Sequence, residues 1–520
     1  MFTKVISFTL MGIDAVPISV EVDVKESSAN FVSIVGLPTS SVKESKDRVI
    51  AAIRNSGFIF KSKAYTINLA PADMKKEGVA LDLPIAVGML CSLREIFTHS
   101  SEDPSILEKI GIVGEVSLNG EVKSIKGILP IAISAKKAGL EGLIVPHKNA
   151  KEAGIVSGIK ILPVKTLSEC TDFLQNRVHI NPVKIDLLEL YHTSYTDLVD
   201  IYDVKGQYQV KRALEVAAAG GHNILMIGPP GAGKTMLAKR IPTILPEMTL
   251  EESLETTKIH SVSGKLPCGQ SLIVNRPFRS PHHTISDVAL IGGGSYPKPG
   301  EVSLANNGVL FLDELPEFKK SVLEVMRQPL EDGVVTIARA TETLTFPANF
   351  MLVASMNPCP CGYYGTNIPG HTCTCTPSQV QRYISKISGP LLDRIDIHIE
   401  VPFVKYKELS SKPTGEKSAQ IRNRVNKARM IQIQRFSKEK HIYCNANMES
   451  KHIRTYCQID EQCKRLLEIA ITKLGLSARA YDRILKVSRT IADLEKSPHI
   501  SPQHISEAIQ YRSLDRKFWE

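Results

Sequence analysis

One glycine-rich segment constrains the fold of this 520-residue chain more tightly than any other feature. It reads GPPGAGKT, follows the apolar run NILMI and leads into residues with helical character. A strand, a glycine-rich turn and a helix in this order form a phosphate-binding loop, because backbone N–H groups and the positive end of the helix dipole both face the phosphate oxygens. The pattern therefore predicts an α/β fold with a nucleotide bound at the carboxyl end of a parallel sheet.

The residues of this loop are predicted to bind ATP and Mg²⁺. We expect the Lys234 ammonium to reach the β and γ phosphates and the Thr235 hydroxyl to coordinate Mg²⁺. The predicted nucleotide-binding set is Gly228, Pro229, Pro230, Gly231, Ala232, Gly233, Lys234 and Thr235. A glycine-rich turn without a ligand is the alternative, and the flanking strand and helix disfavour it.

An acidic pair follows a second strand candidate. The apolar run VLFL ends at Asp313 and Glu314. Because ligands of open α/β sheets bind at the carboxyl ends of the strands, we expect Asp313 to hold Mg²⁺ through water and Glu314 to activate the attacking water. An apolar run followed by Asp-Glu is common, and its occurrence after the glycine-rich loop makes the prediction specific.

Two further polar residues stand at strand boundaries. Asn357 ends the run FMLVASM, where its amide is expected to orient the water and sense the γ-phosphate. Strand capping is the alternative for Asn357. Arg394 precedes the run IDIHIEV and is predicted to enter a neighbouring subunit's site as an arginine finger, as in ring-forming ATPases. A local ion pair with Asp393 or Asp396 is the alternative.

A basic helix is predicted from Ala478 to Leu494. Arg479 and Arg483 are four residues apart and share one face of it. We expect one of them to contact the nucleotide as the arginine of a helical lid, and we favour Arg479 because it lies in the first turn. A solvated basic face is the alternative.

Four cysteines cluster shortly after Asn357. Their spacing is C-x-C, eleven residues and C-x-C again. Two close pairs of thiolates can form a tetrahedral Zn²⁺ site, and the candidate ligands are Cys359, Cys361, Cys373 and Cys375. His371 lies between the pairs and is a spare ligand. Because C-x-C is tighter than the usual spacing of zinc-binding pairs, an iron–sulfur cluster and free thiols remain alternatives.

Charge and composition limit the partners and the compartment. The net charge of +10 favours an anionic partner, with nucleic acid the obvious candidate. Ten cysteines are too few for a disulfide scaffold and fit a reducing cytoplasm. The sequence has no apolar run of about 18 residues, and its first residues alternate like a strand rather than a signal peptide. We therefore expect a cytoplasmic protein that does not enter the membrane.

Five long blocks surround these motifs, and they are Gly36–Val49, Ile67–Gly78, Arg276–Gly294, Pro299–Phe318 and Ile387–Pro402. Through them nearly the whole chain resembles the ComM/YifB family, the magnesium-chelatase-like branch of the AAA+ ATPases. The resemblance implies a homo-oligomer, a hexameric ring, that uses ATP for branch migration of single-stranded or branched DNA in homologous recombination or natural transformation. It implies no DNA sequence preference. Magnesium chelatase relatives remodel a partner enzyme with the same motor, so a protein-remodelling ATPase is the alternative.

The resemblance also implies hairpins that face a central channel. Residues Asp287–Ser303 have a glycine-rich composition that is typical of mobile segments. Residues Val334–Phe346 have a strand–turn–strand pattern with Arg339 near its tip. Arg339 would contact DNA phosphates, whereas a hairpin packed on the core is the alternative. His282 and His283 lack further ligands nearby in the sequence, so a structural or intersubunit role is expected rather than a metal site.

The N-terminal region resembles the C-terminal domain of Lon protease. In the register of that resemblance, Ala80 takes the place of the Lon serine and Leu129 the place of its lysine. Neither side chain can serve in a nucleophilic dyad, so no proteolysis is expected. Lys75, Lys76 and Lys126 are candidate DNA contacts, with a solvated basic surface as the alternative.

The expected fold class is α/β, with three domains. Residues 1–175 would form a Lon/S5-like α+β domain without the protease dyad. Residues 185–405 would form a P-loop AAA+ core with channel hairpins, and residues 406–520 a helical lid.

Overall fold

A computed structural model describes the structure of this chain. The described residues are 2–27, 31–74, 76, 78–96, 105–186, 199–267, 269–294, 297–338, 343–366, 368, 370–404, 415–439, 442–474, 477–512 and 514. The chain divides into two compact units, of which the first comprises Met1–His192 and Ser253–Ile273. The second comprises Thr193–Glu252 and Val274–Glu520. Residues 253–273, which the sequence pattern assigns to the middle domain, thus belong to the first unit.

The first unit is built on a mixed sheet. Its strands are β1 (Phe2–Met11), β2 (Asp14–Glu26), β3 (Phe31–Val35), β4 (Lys63–Ala70), β5 (Ile110–Ile112), β6 (Glu115–Val116), β7 (Val122–Lys123), β8 (Gly142–Pro146) and β9 (Lys160–Val164). Its helices up to residue 174 are α1 (Ser40–Asn55), α2 (Asp82–Ser92), α3 (Ile106–Lys109), α4 (Ile128–Lys137), α5 (Ala150–Ala153) and α6 (Leu167–Leu174). The sheet order is β3-β4-β2-β1-β5-β8-β9, and β6 and β7 form a separate pair.

Alternation of apolar and polar residues produces the centre of this sheet. In β2 the side chains of Ile18, Val20, Val22 and Val24 are buried while their neighbours are more exposed, as expected for a strand with one face on the core. Helix α2 is buried along its whole length and packs on β1 and β2. A Cβ on Gly88 would lie 2.8 Å from Val22 Cγ2, so glycine permits this close approach of helix and sheet.

The two positions that correspond to the Lon dyad lie in the first unit, and the half-buried Ala80 packs against its core. Leu129 is fully buried at the start of α4, and its N–H donates to Glu152 Oε1 over 3.3 Å. The Ser261 hydroxyl, from residues 253–273, donates to the same carboxylate oxygen. Burial raises the pKa of Glu152, and these hydrogen bonds oppose the rise. This carboxylate therefore joins the late segment to the N-terminal fold.

The prediction that Lys76 contacts DNA was wrong. Lys76 is fully buried, and its ammonium donates to the carbonyl oxygen of Pro71. A buried ammonium with a backbone partner cannot contact a phosphate backbone. Lys126 is exposed, and Lys75 lies outside the described residues.

The elements from residue 199 onward contain the nucleotide loop. The strands are β10 (Ile224–Ile227), β11 (Phe278–Arg279), β12 (Gly292–Gly293), β13 (Lys298–Pro299), β14 (Val309–Leu312), β15 (Val334–Ala338), β16 (Thr343–Pro347), β17 (Met351–Met356) and β18 (Ile397–Glu400). The helices are α7 (Tyr208–Gly220), α8 (Lys234–Ala238), α9 (Leu250–Ser263), α10 (Asp287–Ile291), α11 (Glu301–Leu304), α12 (Lys320–Val325), α13 (Arg327–Asp332), α14 (Pro377–Ile384), α15 (Gly389–Leu392), α16 (Ser418–Arg435), α17 (Ser450–Tyr456), α18 (Glu461–Leu474), α19 (Ala478–Leu494) and α20 (Pro502–Gln510).

Five of these strands form the predicted parallel sheet, in the order β11-β14-β17-β10-β18. Every neighbouring pair in it is parallel. Strands β10, β14 and β17 are buried along their whole length, which is why their sequences are continuous apolar runs rather than alternating ones. The mixed α/β fold with a parallel core sheet is confirmed.

The C-terminal region is helical, as predicted. Helix α19 begins and ends at the predicted residues, and the Ser477 hydroxyl accepts a hydrogen bond from the Ala480 N–H at its start. Its buried face carries Ile484, Val487 and Ile491, the spacing of an amphipathic helix. Among the described residues, no helix is long and apolar enough to cross a membrane.

The two segments predicted as channel hairpins have different structures. Strands β15 and β16 pair in antiparallel register, which confirms the strand–turn–strand pattern. Arg339 lies outside the described residues. The described residues of Asp287–Ser303 contain α10, the short antiparallel pair β12–β13 and the start of α11. A Cβ on Gly292 would lie 2.4 Å from the Lys298 carbonyl oxygen, so glycine here serves close backbone packing.

Candidate nucleotide site and cysteine cluster

The predicted phosphate-binding loop joins β10 to α8. Gly231 and Gly233 have φ values of 76° and 86°, a backbone region that favours glycine. At the start of the loop, a Cβ on Gly228 would lie 2.3 Å from the carbonyl oxygen of Val401. The glycines of the motif are thus required by the turn and by contact with the neighbouring strand segment, and α8 begins at Lys234.

The Lys234 ammonium lies at the centre of the loop. Its Nζ donates to the carbonyl oxygens of Gly228 over 2.7 Å and Pro229 over 3.0 Å. It also donates to Asn357 Oδ1 over 3.0 Å. Burial lowers the pKa of Lys234, and the carboxylates of Asp313 and Glu314 oppose this change. The structure therefore brings Lys234 and Asn357 together from segments more than a hundred residues apart in sequence.

Asp313 is the point where three elements meet. Its Oδ2 accepts a hydrogen bond of 2.6 Å from the Thr235 hydroxyl, and its Oδ1 accepts one from the Ser355 hydroxyl. Leu312 pairs with Ala354 in the parallel register of β14 and β17. Asp313 and Ser355 are the next residues along the two chain segments and therefore lie side by side. Sequence reasoning missed Ser355, although a hydroxyl near the end of a buried apolar strand was a usable signal.

Glu314 has a different environment from Asp313. Its backbone is left-handed with a φ of 54°, and its side chain is 56% exposed. The Nδ1 of His283 lies 3.5 Å from a Glu314 carboxylate oxygen. The ring of His283 lies 4.1 Å from that of His282. Neither histidine belongs to a group of metal-ligating side chains within the described part of the chain. His283 is thus a neighbour of the predicted general base that the sequence did not indicate.

The side chain of Arg394 points inward and contacts residues of its own chain. Its guanidinium donates to the Pro390 carbonyl oxygen and forms an ion pair with Glu331, and its side chain is only 10% exposed. Burial, and then the positive charge of Arg479, lowers the pKa of Arg394. Within this chain the ion-pair partner of Arg394 is therefore Glu331, and not Asp393 or Asp396.

The two arginines of α19 have different partners. Arg483 forms an ion pair with Asp396, which is buried and also lies 3.4 Å from His222 Nδ1. Arg479 is 65% exposed and lies 3.9 Å from Asp393. Arg483 thus links α19 to the residue that directly precedes β18. Most of the Arg479 side chain is instead exposed to solvent.

The four clustered cysteines converge on one point. The Sγ of Cys359 lies 3.3 Å from that of Cys361 and 3.8 Å from that of Cys373, and the latter two are 3.6 Å apart. Together with Cys375, all four sulfur atoms lie within 4.8 Å of one another. His371 is not in this group, and its ring stacks on Tyr363 at 4.6 Å.

Comparison with known proteins assigns this chain to a family. The family model for the subunit ChlI of Mg-chelatase matches residues 20–149, and two further family models match later parts of the chain. They are the magnesium chelatase subunit ChlI at residues 200–409 and its C-terminal part at residues 415–512. Competence protein ComM of Haemophilus influenzae is 44% identical over 511 residues, which cover 97% of this chain and 96% of ComM. The chain belongs to the ComM/YifB family.

Other relatives agree with this assignment. YifB of Escherichia coli is 42% identical over 510 residues, covering 97% of this chain and 96% of that protein. Lon protease 2 of Bacillus subtilis is 29% identical over 145 residues, 28% of this chain and 24% of the protease. Lon-like homology in the N-terminal region is therefore confirmed. Membership of a magnesium-chelatase-like AAA+ family implies an ATPase that uses ATP and Mg²⁺.

Proposed function

We propose that this ComM/YifB-family ATPase is a DNA motor that promotes branch migration during homologous recombination or natural transformation. The observation that carries the proposal is the similarity, over nearly the full length of both chains, to a competence protein. The net charge of +10 supports a polyanionic partner bound through its phosphates. In this proposal the chain works in the cytoplasm as a hexameric ring on single-stranded or branched DNA, without sequence preference.

The proposed division of labour begins at the phosphates. Lys234 binds the β and γ phosphates, and the hydrogen bonds that its ammonium makes with the loop and with Asn357 keep it within the site. Thr235 and Asp313 are the residues that hold Mg²⁺, whose charge neutralises phosphate oxygens. Their hydrogen bond of 2.6 Å supports this, because a hydroxyl that would bind the ion and a carboxylate that would hold it through water must lie close together.

The proposed hydrolysis uses Glu314 and Asn357. Glu314 accepts the proton of the attacking water, and its exposure gives the carboxylate access to that water. Asn357 orients the water and contacts the γ-phosphate. Arg479 is the proposed lid arginine, since Arg483 is committed to Asp396.

Arg394 is proposed to complete the site of the neighbouring subunit. In that role it has to leave Glu331 and extend outward. Its Nε is buried and has no hydrogen-bond partner among the described residues, so the inward position leaves one donor unsatisfied. An unsatisfied buried donor costs about 1–3 kcal/mol, which partly offsets the cost of breaking the ion pair.

An ATP-dependent assay on a three-stranded DNA junction tests the proposed function. We expect the native chain to move the branch point and the Lys234→Ala variant, which cannot bind the phosphates, to leave it in place. If no migration occurs and ATP turnover is indifferent to single-stranded and branched DNA, the DNA motor is refuted.

The second candidate is a protein-remodelling ATPase. It is favoured by the three family models, which together name a magnesium chelatase subunit over most of the chain. Because both candidates use the same ATP chemistry, the discriminating readout is the stimulus. A remodelling ATPase would turn over ATP faster with a partner protein and would not respond to DNA.

We also propose that the four clustered cysteines hold one Zn²⁺. Four thiolates at about 2.3 Å from a tetrahedral ion lie about 3.8 Å from one another. The sulfur atoms of Cys359, Cys361 and Cys373 lie 3.3–3.8 Å apart, and that of Cys375 lies within 4.8 Å of each of them. A disulfide would require about 2.05 Å. An iron–sulfur cluster spans several atoms and would hold its four ligands farther apart, so the geometry favours a single ion.

A further inference from the structure

The cysteine cluster is built into the two segments that flank Asn357. Cys359 is the second residue after Asn357, which directly follows β17. Cys375 directly precedes Thr376, whose hydroxyl accepts a hydrogen bond from the Gln379 N–H and so caps α14. A metal held by both cysteine pairs would therefore tie the end of β17 to the start of α14.

Helix α14 returns to the nucleotide site. Burial raises the pKa of Tyr383 in this helix, and the nearby backbone N–H of Asn357 opposes the rise. The side chain of the same Asn357 accepts from Lys234 over 3.0 Å. Asn357 thus lies beside the capped helix and is hydrogen-bonded to the phosphate-binding lysine.

The turn within the first cysteine pair supports the phosphate-binding loop. The Gly362 N–H donates to the Cys359 carbonyl oxygen over 3.0 Å, and the Tyr364 N–H donates to Cys359 Sγ over 3.3 Å. Such N–H groups stabilise a ligating sulfur. A Cβ on Gly362 would lie 2.5 Å from Cδ and 2.7 Å from Cγ of Pro230. The turn that carries two of the thiolates therefore packs directly on the loop predicted to bind ATP.

We propose that the thiolate-bound metal is a clamp that fixes Pro230 and Asn357, so that metal occupancy controls the affinity of the chain for nucleotide. The proposal rests on the proposed nucleotide binding at residues 228–235. With the metal bound, the short connection between the cluster and the loop is rigid and the loop is preorganised for phosphate. Without it, the two cysteine pairs separate, and nucleotide binding has to order the turn as well.

Linkage makes the coupling reciprocal. If the metal raises nucleotide affinity by some factor, nucleotide raises metal affinity by the same factor. Couplings between two sites typically amount to about 5–150-fold in affinity. We expect removal of zinc to weaken the binding of the fluorescent analogue mant-ATP within this range, and mant-ATP to protect zinc from a chelator.

Metal analysis and nucleotide titration of the full chain test this directly. We expect one zinc ion per chain, a fall in mant-ATP affinity after treatment with phenanthroline, and recovery when Zn²⁺ is added back. Cys361→Ser is expected to lose zinc and nucleotide affinity together. His371→Ala, which removes only a ring stacked on Tyr363, is expected to keep both.

A glycine pair separates the coupling from the metal itself. Gly362→Ala keeps all four cysteines but places a methyl group against Pro230, so it should weaken mant-ATP binding while zinc content stays at one per chain. Gly370→Ala is the matched control, because Gly370 has a similar φ of 81° in the same loop and nothing within 4 Å of its Cβ position. It should change neither zinc content nor affinity.

The outcomes are distinguishable. A folded native chain that carries no zinc after purification and takes none up overturns the metal clamp. Equal mant-ATP affinity with and without zinc, or in Gly362→Ala and Gly370→Ala, overturns the coupling and leaves the proposed function intact. If the zinc-loaded native chain binds no mant-ATP at all, both the proposed nucleotide function and the coupling are wrong.

Discussion

The Thr235 hydroxyl donates a hydrogen bond of 2.6 Å to the Asp313 carboxylate, which joins the first turn of α8 to the carboxyl end of β14. Ser355 reaches the other oxygen of the same carboxylate from β17. Asp313 is therefore oriented by hydroxyl groups on two sides. The position of the proposed Mg²⁺ ligands depends on the sheet register as well as on the loop.

We predict that Thr235→Val abolishes the response of ATP turnover to Mg²⁺, whereas Thr235→Ser retains most of it. Valine has nearly the shape of threonine but lacks the hydroxyl ligand. Because metal stabilisation of phosphoryl transfer is worth several kcal/mol, turnover should fall about a hundredfold or more. Steady-state ATP hydrolysis measured against Mg²⁺ concentration checks this. Native-like turnover of the valine variant would remove Thr235 from the proposed metal site.

Glu314→Gln should separate binding from hydrolysis. The amide cannot accept a proton from water, so turnover should fall about 10²–10⁴-fold while mant-ATP affinity is unchanged. Glu317→Gln is the matched control, since Glu317 is a nearby exposed acid that pairs with Lys386 on the surface. The assignment of Glu314 as the base fails if Glu314→Gln hydrolyses ATP as fast as the control.

Arg394 can be tested by mixing subunits. We expect Arg394→Ala to lower turnover by about 10³-fold, as arginine fingers do. If Arg394 acts in the neighbouring site, mixing Arg394→Ala with Lys234→Ala chains should restore part of the activity, because some interfaces then combine an intact loop with an intact arginine. Each variant alone is the control.

A mixture no more active than its components contradicts a finger supplied by the neighbour. In that case the ion pair with Glu331 would be the whole role of Arg394. Glu331→Gln then provides the matching measurement, since loss of either partner of a structural pair should lower stability to a similar degree.

The buried Asp396 should make stability depend on pH. Burial alone would raise the pKa of Asp396, but Arg483 and His222 hold this pKa below its ordinary value. A group whose pKa is lower in the folded chain stabilises it at pH values above the unfolded pKa of about 4, and this contribution is lost as the pH falls further. Asp396→Asn should therefore destabilise the chain at pH 7, by roughly 3–5 kcal/mol.

Urea unfolding at pH 7 and near pH 3 checks this prediction. The difference between the native chain and Asp396→Asn should shrink at the lower pH. Asp393→Asn is the control, because its side chain is more exposed, at 35%, and the substitution should have little effect at either pH. A difference between native and Asp396→Asn chains that is independent of pH would contradict the proposed charge pairing.

The β15–β16 hairpin provides a prediction about DNA. If Arg339 contacts one phosphate, Arg339→Ala should weaken DNA binding equally for all sequences and reduce the slope of log affinity against log salt by about 1. ATP hydrolysis without DNA should stay unchanged. The same measurement on Lys126→Ala tests whether the exposed lysine of the first unit contacts DNA. An unchanged salt slope for Arg339→Ala would favour a hairpin that only packs on the core.

Local patterns were sufficient for much of the fold and for the composition of the nucleotide site. The order of strand, glycine-rich loop and helix at residues 224–238, the helix α19 and the β15–β16 pattern could be read from sequence because each depends on neighbouring residues. The same holds for the grouping of cysteines in close pairs. The family assignment also followed from the sequence, since its long blocks span most of the chain.

Contacts between distant segments were decided only by the tertiary structure. Strand register, not any local motif, brings Ser355 to Asp313. Burial determines that Lys76 bonds to a carbonyl oxygen and that Arg394 pairs with Glu331. The sequence shows which side chains carry a charge or a ligand atom. The packing of elements that are far apart in sequence determines which partner each side chain contacts. The sequence by itself therefore determined the chemistry available to this protein, and the tertiary structure decided its geometry.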